Sequence, residues 1–168
     1  MSYIGAPILF IAAILQAVVL PQVLPLQARP QLLVLLVVAV CLAESLYDAV
    51  IWGFIGGLML DLMSGPALPI GSNALLLVLV ALLASLGQAN PFQSRVFVPL
   101  VTGFATTIFY HVLLMALSTA LGNNVAIIDN LWRMVVPSAI MNAILIPVAY
   151  SAVLWLSEKV GRRVPVEW

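Results

Sequence analysis

Charge is what this chain has least of: six basic and six acidic residues among 168, or 7%, against roughly a quarter in an ordinary soluble domain. A soluble fold of this length has nowhere to hide the remainder, which is 64% hydrophobic. Clustered Lys and Arg are equally scarce, and the formal net charge is zero. Phosphate binding needs such clusters, so a nucleic-acid partner is excluded. There is one cysteine, Cys41, inside an apolar run. It allows no internal disulfide and no thiolate metal site, and reads as a small buried hydrophobe. The one histidine, His111, has no second His and no Cys beside it, which favours a hydrogen-bonded structural imidazole over a metal ligand. Sequences of the Gly-x-Ser-x-Gly, His-Glu-x-x-His and Gly-x-x-x-x-Gly-Lys types are missing as well. Neither an enzyme nor a cofactor is expected.

What is present is a succession of apolar stretches that need lipid as their solvent. The first runs from about Ile4 to Leu20 and is expected to stop at Pro21, with Pro25 close behind. No basic residue precedes it, so it reads as a retained helix and not as a signal peptide. From Leu32 to Asp61 the chain is apolar except around Glu44–Asp48, and about 30 residues is too long for one span of about 20. Two helices, Leu32–Ala43 and about Tyr47–Ser64, are therefore expected. The first is short for a crossing. Breakers from Gly65 to Gly71 precede a fourth segment, about Ser72–Leu86, and a fifth spans about Val96–Leu121. An amphipathic stretch, Val125–Trp132, leads into a sixth from about Arg133 to Ser157, with Trp132 and Trp155 near its two ends. The expected fold is all-α, a polytopic membrane protein of about six transmembrane helices in one bundle and one domain.

Six spans put both termini on one side, together with Arg95, Lys159, Arg162 and Arg163, and leave Arg29 and Arg133 opposite. By the positive-inside rule the termini are expected in the cytoplasm.

The densest polar signal is Gly53, Gly57 and Asp61, each four apart and so on one face of a helix. Glycines at that spacing let another backbone approach closely, either inside the chain or in a partner. A carboxylate within a span demands donors or water. A rise of about 1.5 Å per residue brings Asp61, His111 and Asn142 to one depth on the third, fifth and sixth segments, where they are expected either to meet or to be satisfied separately. If the role of Asp61 is structural, Asp61→Asn is expected to retain much of the function. Thr102, Thr106 and Tyr110, beside Gly103, Thr107 and His111, form a polar stripe facing a neighbouring helix, and the hydroxyls are expected to bond mainly to their own backbone. Glu44 and Asp48 are the best acid/base candidates by type, yet they read as solvated carboxylates at the membrane surface.

The run Gly53-Phe54-Ile55-Gly56-Gly57-Leu58-Met59-Leu60-Asp61-Leu62-Met63-Ser64, followed by Gly71 and by Asn73-Ala74-Leu75, resembles the signature stretch of the MreD family of rod shape-determining membrane proteins. Pro66 and Pro69 are a local departure from that pattern. The resemblance implies a non-enzymatic scaffold of the bacterial elongation machinery in the cytoplasmic membrane, organising peptidoglycan synthesis with MreC, MreB, the RodA glycosyltransferase and its class B transpeptidase. It carries the family motif onto Gly53, Gly57, Asp61 and Gly71. The chain also looks like the substrate-binding membrane subunits of energy-coupling-factor vitamin transporters. Those meet their partner through small residues four apart on the first helix, and Ala13 and Ala17 have that spacing.

Overall fold

The computed structural model describes residues 5–23, 29–63, 68–88, 97–123 and 127–159. Arg95, Arg162, Arg163 and Pro66, on which parts of the orientation and loop readings rest, lie outside them. Among the described residues six helices form one bundle: α1 (Gly5–Ile14, continuing through Leu15–Val19 and Leu20–Val23), α2 (Leu32–Ala43), α3 (Leu46–Met63), α4 (Ser72–Gln88), α5 (Phe97–Ala120) and α6 (Ile127–Asn130, Leu131–Val135 and Val136–Lys159). Among the described residues there are no strands. Three of the described stretches are long and apolar enough to cross a membrane, namely Leu46–Met63, Phe97–Ala120 and Leu131–Lys159.

The bundle is built around its shortest helix. Twelve residues of α2 rise only about 18 Å, well short of a hydrocarbon core about 30 Å thick. Eight of the twelve are buried, and α2 touches all five other helices. Large apolar side chains such as Phe54, Leu75, Ile144 and Val148 point outward, while Thr106, Thr107, His111, Ser138 and Asn142 are fully enclosed. Apolar outside and polar inside is the arrangement that lipid selects. Trp132 and Trp155 are both exposed and about 35 Å apart along α6, a separation suited to the two interfacial belts. The Lys159 ammonium lies 3.9 Å from the centre of the Trp155 ring.

Two expected boundaries need correction, and both involve proline. The first helix does not stop at Leu20 but runs through Pro21 to Val23. The sixth does not begin at Arg133 but is helical from Ile127. In each case a π-helical turn precedes the proline by two residues: Leu15–Val19 before Pro21, and Leu131–Val135 before Pro137. Leu20 N–H reaches back five residues to Leu15 O, and Val136 N–H to Leu131 O. The wider turn makes room for a ring that would otherwise collide with the carbonyl four residues back, so the helix continues.

Helix ends follow ordinary capping chemistry. The Ser45 hydroxyl accepts the Asp48 N–H at 3.1 Å and donates to Asp48 Oδ2 at 2.8 Å, a serine N-cap that opens α3. Asp48 thus has a local structural use. Gly122, at φ +87°, closes α5 in the left-handed conformation, and Asn123 N–H returns to Ser118 O.

Candidate functional site

Two polar centres lie inside the bundle. The first joins the end of α3 to the start of α4. Asp61 is buried, and both its carboxylate oxygens accept: Oδ1 from Asn73 N–H at 3.0 Å and Asn73 Nδ2 at 2.8 Å, Oδ2 from Gly71 N–H at 2.9 Å and Ala74 N–H at 3.3 Å. The first turn of any helix leaves amide donors without partners. Here a side chain from the preceding helix supplies the acceptors, and its negative charge complements the helix N-terminus. Gly71 has φ +98°. Only a residue without Cβ takes that conformation without strain, and the turn it makes aims its N–H at Asp61. Asn73 passes the connection on, its Oδ1 accepting the Tyr110 hydroxyl of α5 at 2.6 Å.

The same pair of helices shows why glycine recurs at spacing four. A Cβ on Gly57 would lie 2.4 Å from Ala74 Cα and 2.6 Å from Asn73 O, and one on Gly53 would lie 3.0 Å from Leu77 O. These are backbone atoms and have no rotamer to escape into. The glycine face of α3 is thus closed against α4 within this chain. Gly56, on another side, faces the Leu9 and Leu33 side chains.

The second centre gathers α1, α2, α5 and α6. Leu33 N–H donates to Gln16 Oε1 (2.9 Å), Gln16 Nε2 to Gln31 Oε1 (2.7 Å), and Gln31 Nε2 lies 3.5 Å from His111 Nε2. His111 Nδ1 is 2.9 Å from Thr107 O. A carbonyl only accepts, so Nδ1 carries the proton of the neutral ring and Nε2 presents its lone pair to Gln31. A parallel path starts at Gln31 N–H, which donates to Asn142 Oδ1 (3.0 Å), continues from Asn142 Nδ2 to Thr107 Oγ1 (2.9 Å), and ends from Thr107 Oγ1 to Gly103 O (2.7 Å). Arg29 N–H donates to Ser138 Oγ at 3.1 Å.

Of the three groups expected at one depth, the structure brings His111 and Asn142 together through Thr107 and gives Asp61 a separate set of donors. The two centres adjoin on α5, where the rings of Tyr110 and His111 meet edge-on with centroids 5.6 Å apart. Thr106 bonds to its own backbone at Thr102 O, and Thr107 to Gly103 O. Tyr110 instead crosses to α4. Sequence reasoning passed over Gln16 and Gln31, although two amides inside or at the edge of apolar runs, next to a proline-interrupted loop, are the signal that marks them. Among the described residues no three His, Cys, Asp or Glu side chains gather as metal ligands.

Ala13, which with Ala17 has the small-residue spacing of the vitamin-transporter subunits, is fully buried in the bundle. The side of α1 that faces lipid is instead large and apolar, with Phe10, Ile11 and Val18 exposed.

No curated protein matches the chain. No solved structure matches it either. A family model described as rod shape-determining protein MreD matches residues 2–160, almost the whole length. The glycine–aspartate corner between α3 and α4 carries the stretch that resembles that family, and the all-helical apolar bundle is the setting expected of it. The chain is an integral membrane protein that belongs to the MreD family of rod shape-determining proteins.

Proposed function

We propose that this protein is a non-enzymatic scaffold that holds cell-wall synthesis to the side wall of a rod-shaped bacterium. It sits in the cytoplasmic membrane as one multi-pass domain with both termini in the cytoplasm. Its partners on this reading are MreC, RodA and the class B transpeptidase, with MreB engaged indirectly across the membrane face. The observation that carries the proposal is the use to which the family stretch is put. Gly53, Gly57, Asp61, Gly71 and Asn73 fix the crossing of α3 and α4 by close backbone approach and by hydrogen bonds within the chain. A motif of that kind supports a rigid shape offered to other proteins, and partner surfaces are then set by this corner without being made of it.

Affinity purification of the full chain from native membranes, with identification of what accompanies it, tests the reading. Recovery of wall-synthesis proteins supports it. Recovery of coupling ATPases in their place would move the chain to the vitamin-transporter class. The topology has its own test, with Cys41→Ala as background and Val166→Cys as the reporter. A thiol reagent that cannot cross membranes should leave intact cells unlabelled, and labelling would put the tail outside.

A further inference from the structure

The lead-in to α2 is the least regular stretch of backbone near the middle of the bundle. Residues 29–31 are not helical, Pro30 is buried and Arg29 and Gln31 are half-buried, and the first amides of α2 need partners from outside the helix. Non-helical backbone at membrane depth persists only where protein surrounds it or water reaches it. Here alternate amides, those of residues 29, 31 and 33, are each taken by a side chain: Ser138, Asn142 and Gln16. Two of the paths that begin there run on without a break to carbonyls of α5, at Thr107 and Gly103.

Both paths have a direction. Followed from Leu33 N–H to Thr107 O and from Gln31 N–H to Gly103 O, every link donates forward, and neither glutamine amide can be turned over by itself. Turning Gln31 sets its NH2 against the NH2 of Gln16, and turning Gln16 as well takes its oxygen from Leu33 N–H. The links therefore hold or open as a set.

Among the described residues, the polar link between α1 and this set is Gln16, which sits in the π-helical turn Leu15–Val19. Below it, toward the start of α1, Leu9 meets Gly56 and Leu33. On an adjacent flank Ile8, Ile11, Ala12 and Leu15 stand across an open apolar cleft of about 300 Å³ from Leu36 and Ala149. A helix bordered by an open cleft along one flank and widened at the turn that carries its polar attachment is a helix poised to move.

We propose that the Gln16–Gln31–His111 path is a latch that holds α1 to the bundle, and that its opening lets α1 swing away from α2 and α6 along the cleft. His111 sets the direction of the path through its acceptor nitrogen, and Gln16 transmits that setting to α1 without touching His111.

The test uses the full chain in lipid nanodiscs, with Cys41→Ala as background and spin labels at Ile11→Cys and Ala149→Cys on the two walls of the cleft. Gln16→Leu and His111→Phe are each expected to add a second, longer distance population. The double variant is expected to look like either single one, because one path is broken in all three. Distances unchanged from the parent in either variant, or effects that add in the double, overturn the latch. Should a variant fail to accumulate, amide exchange on the native chain decides. Peptides carrying Gln16 and Gln31–Val34 are expected to exchange at one common rate, and separate rates overturn the proposal.

Discussion

The corner between α3 and α4 and the lead-in to α2 solve the same physical problem in opposite ways. Each must supply acceptors to the orphan amides of a helix that begins inside the protein. At the corner one residue, Asp61, accepts four hydrogen bonds from residues ten to thirteen positions ahead. At the lead-in the work is divided among Gln16, Ser138 and Asn142, which come from helices as far as 111 positions away. A local solution concentrates its risk in one side chain, and a distributed one makes each side chain matter less and the assembly of the whole bundle matter more.

That contrast predicts the largest single effect at Asp61. Leucine there would strand the amides of Gly71, Asn73 and Ala74 together with the Asn73 side chain. A buried donor left without a partner costs about 1–3 kcal/mol, and four of them approach the whole stability of an ordinary domain, about 5–15 kcal/mol. Asp61→Leu is expected to fall sharply in membrane abundance and to fail to restore cell width in a strain lacking the native protein. The geometry also revises the expectation for asparagine. Both carboxylate oxygens accept two bonds each, so an amide would turn its NH2 toward two N–H donors. Asp61→Asn is expected to lie much nearer Leu than wild type, and near-complete complementation by Asn would mean that this corner is not held as described.

Next in size are the glycines. The Gly57 Cβ of an alanine would arrive 2.4 Å from Ala74 Cα, whereas that of Gly53 would arrive 3.0 Å from Leu77 O. Overpacking costs about 1–3 kcal/mol, and the first contact requires the helices to part. Gly57→Ala is expected to lower the midpoint of thermal unfolding in detergent more than Gly53→Ala does. The reverse order would separate the spacing from its packing role. Gly87 makes a poor control despite its position at the end of α4, since a Cβ there would meet the Thr102 hydroxyl at 2.6 Å.

At the lead-in, Asn142→Leu removes an acceptor from Gln31 N–H and a donor from Thr107. One stranded amide costs about 1–3 kcal/mol, so the loss should be smaller than at Asp61, measured by the same unfolding midpoint. An effect as large as that of Asp61→Leu would erase the distinction between concentrated and distributed capping.

The difference in reach also explains what the sequence made legible. Asp61 and its glycines stand in one run of spacing four, and helix geometry alone puts them on a common face. The bounds of α2 agree with expectation because Pro30 and Glu44 flank an uninterrupted apolar run. The helical course through Pro21 was not legible, since it depends on a wider turn that no single residue announces. Nor were the partners of Gln16 and Gln31, which become neighbours only once four helices have packed. His111 and Asn142 were singled out as polar groups in apolar segments, but their link through Thr107 is a property of the α5–α6 crossing.

The smallest expected effect tests whether the two regions are separate at all. Tyr110 is the bridge: its hydroxyl donates to Asn73 Oδ1, and its ring stands edge-on to His111. Tyr110→Phe keeps the ring and removes one hydrogen bond. Asn73 retains its bond from Nδ2 to Asp61, so the carboxylate loses none of its four donors. Single polar links between membrane helices contribute about 0.6 kcal/mol on average and no more than about 1.7, and the unfolding midpoint should shift by a correspondingly small amount. Combined with Asn142→Leu, which breaks the lead-in on the far side of Thr107, the two shifts are expected to add, because distant residues that share no hydrogen-bond partner behave independently. A double variant markedly more or less stable than the sum would show that the corner and the lead-in form one network through α5, with Tyr110 coupling them.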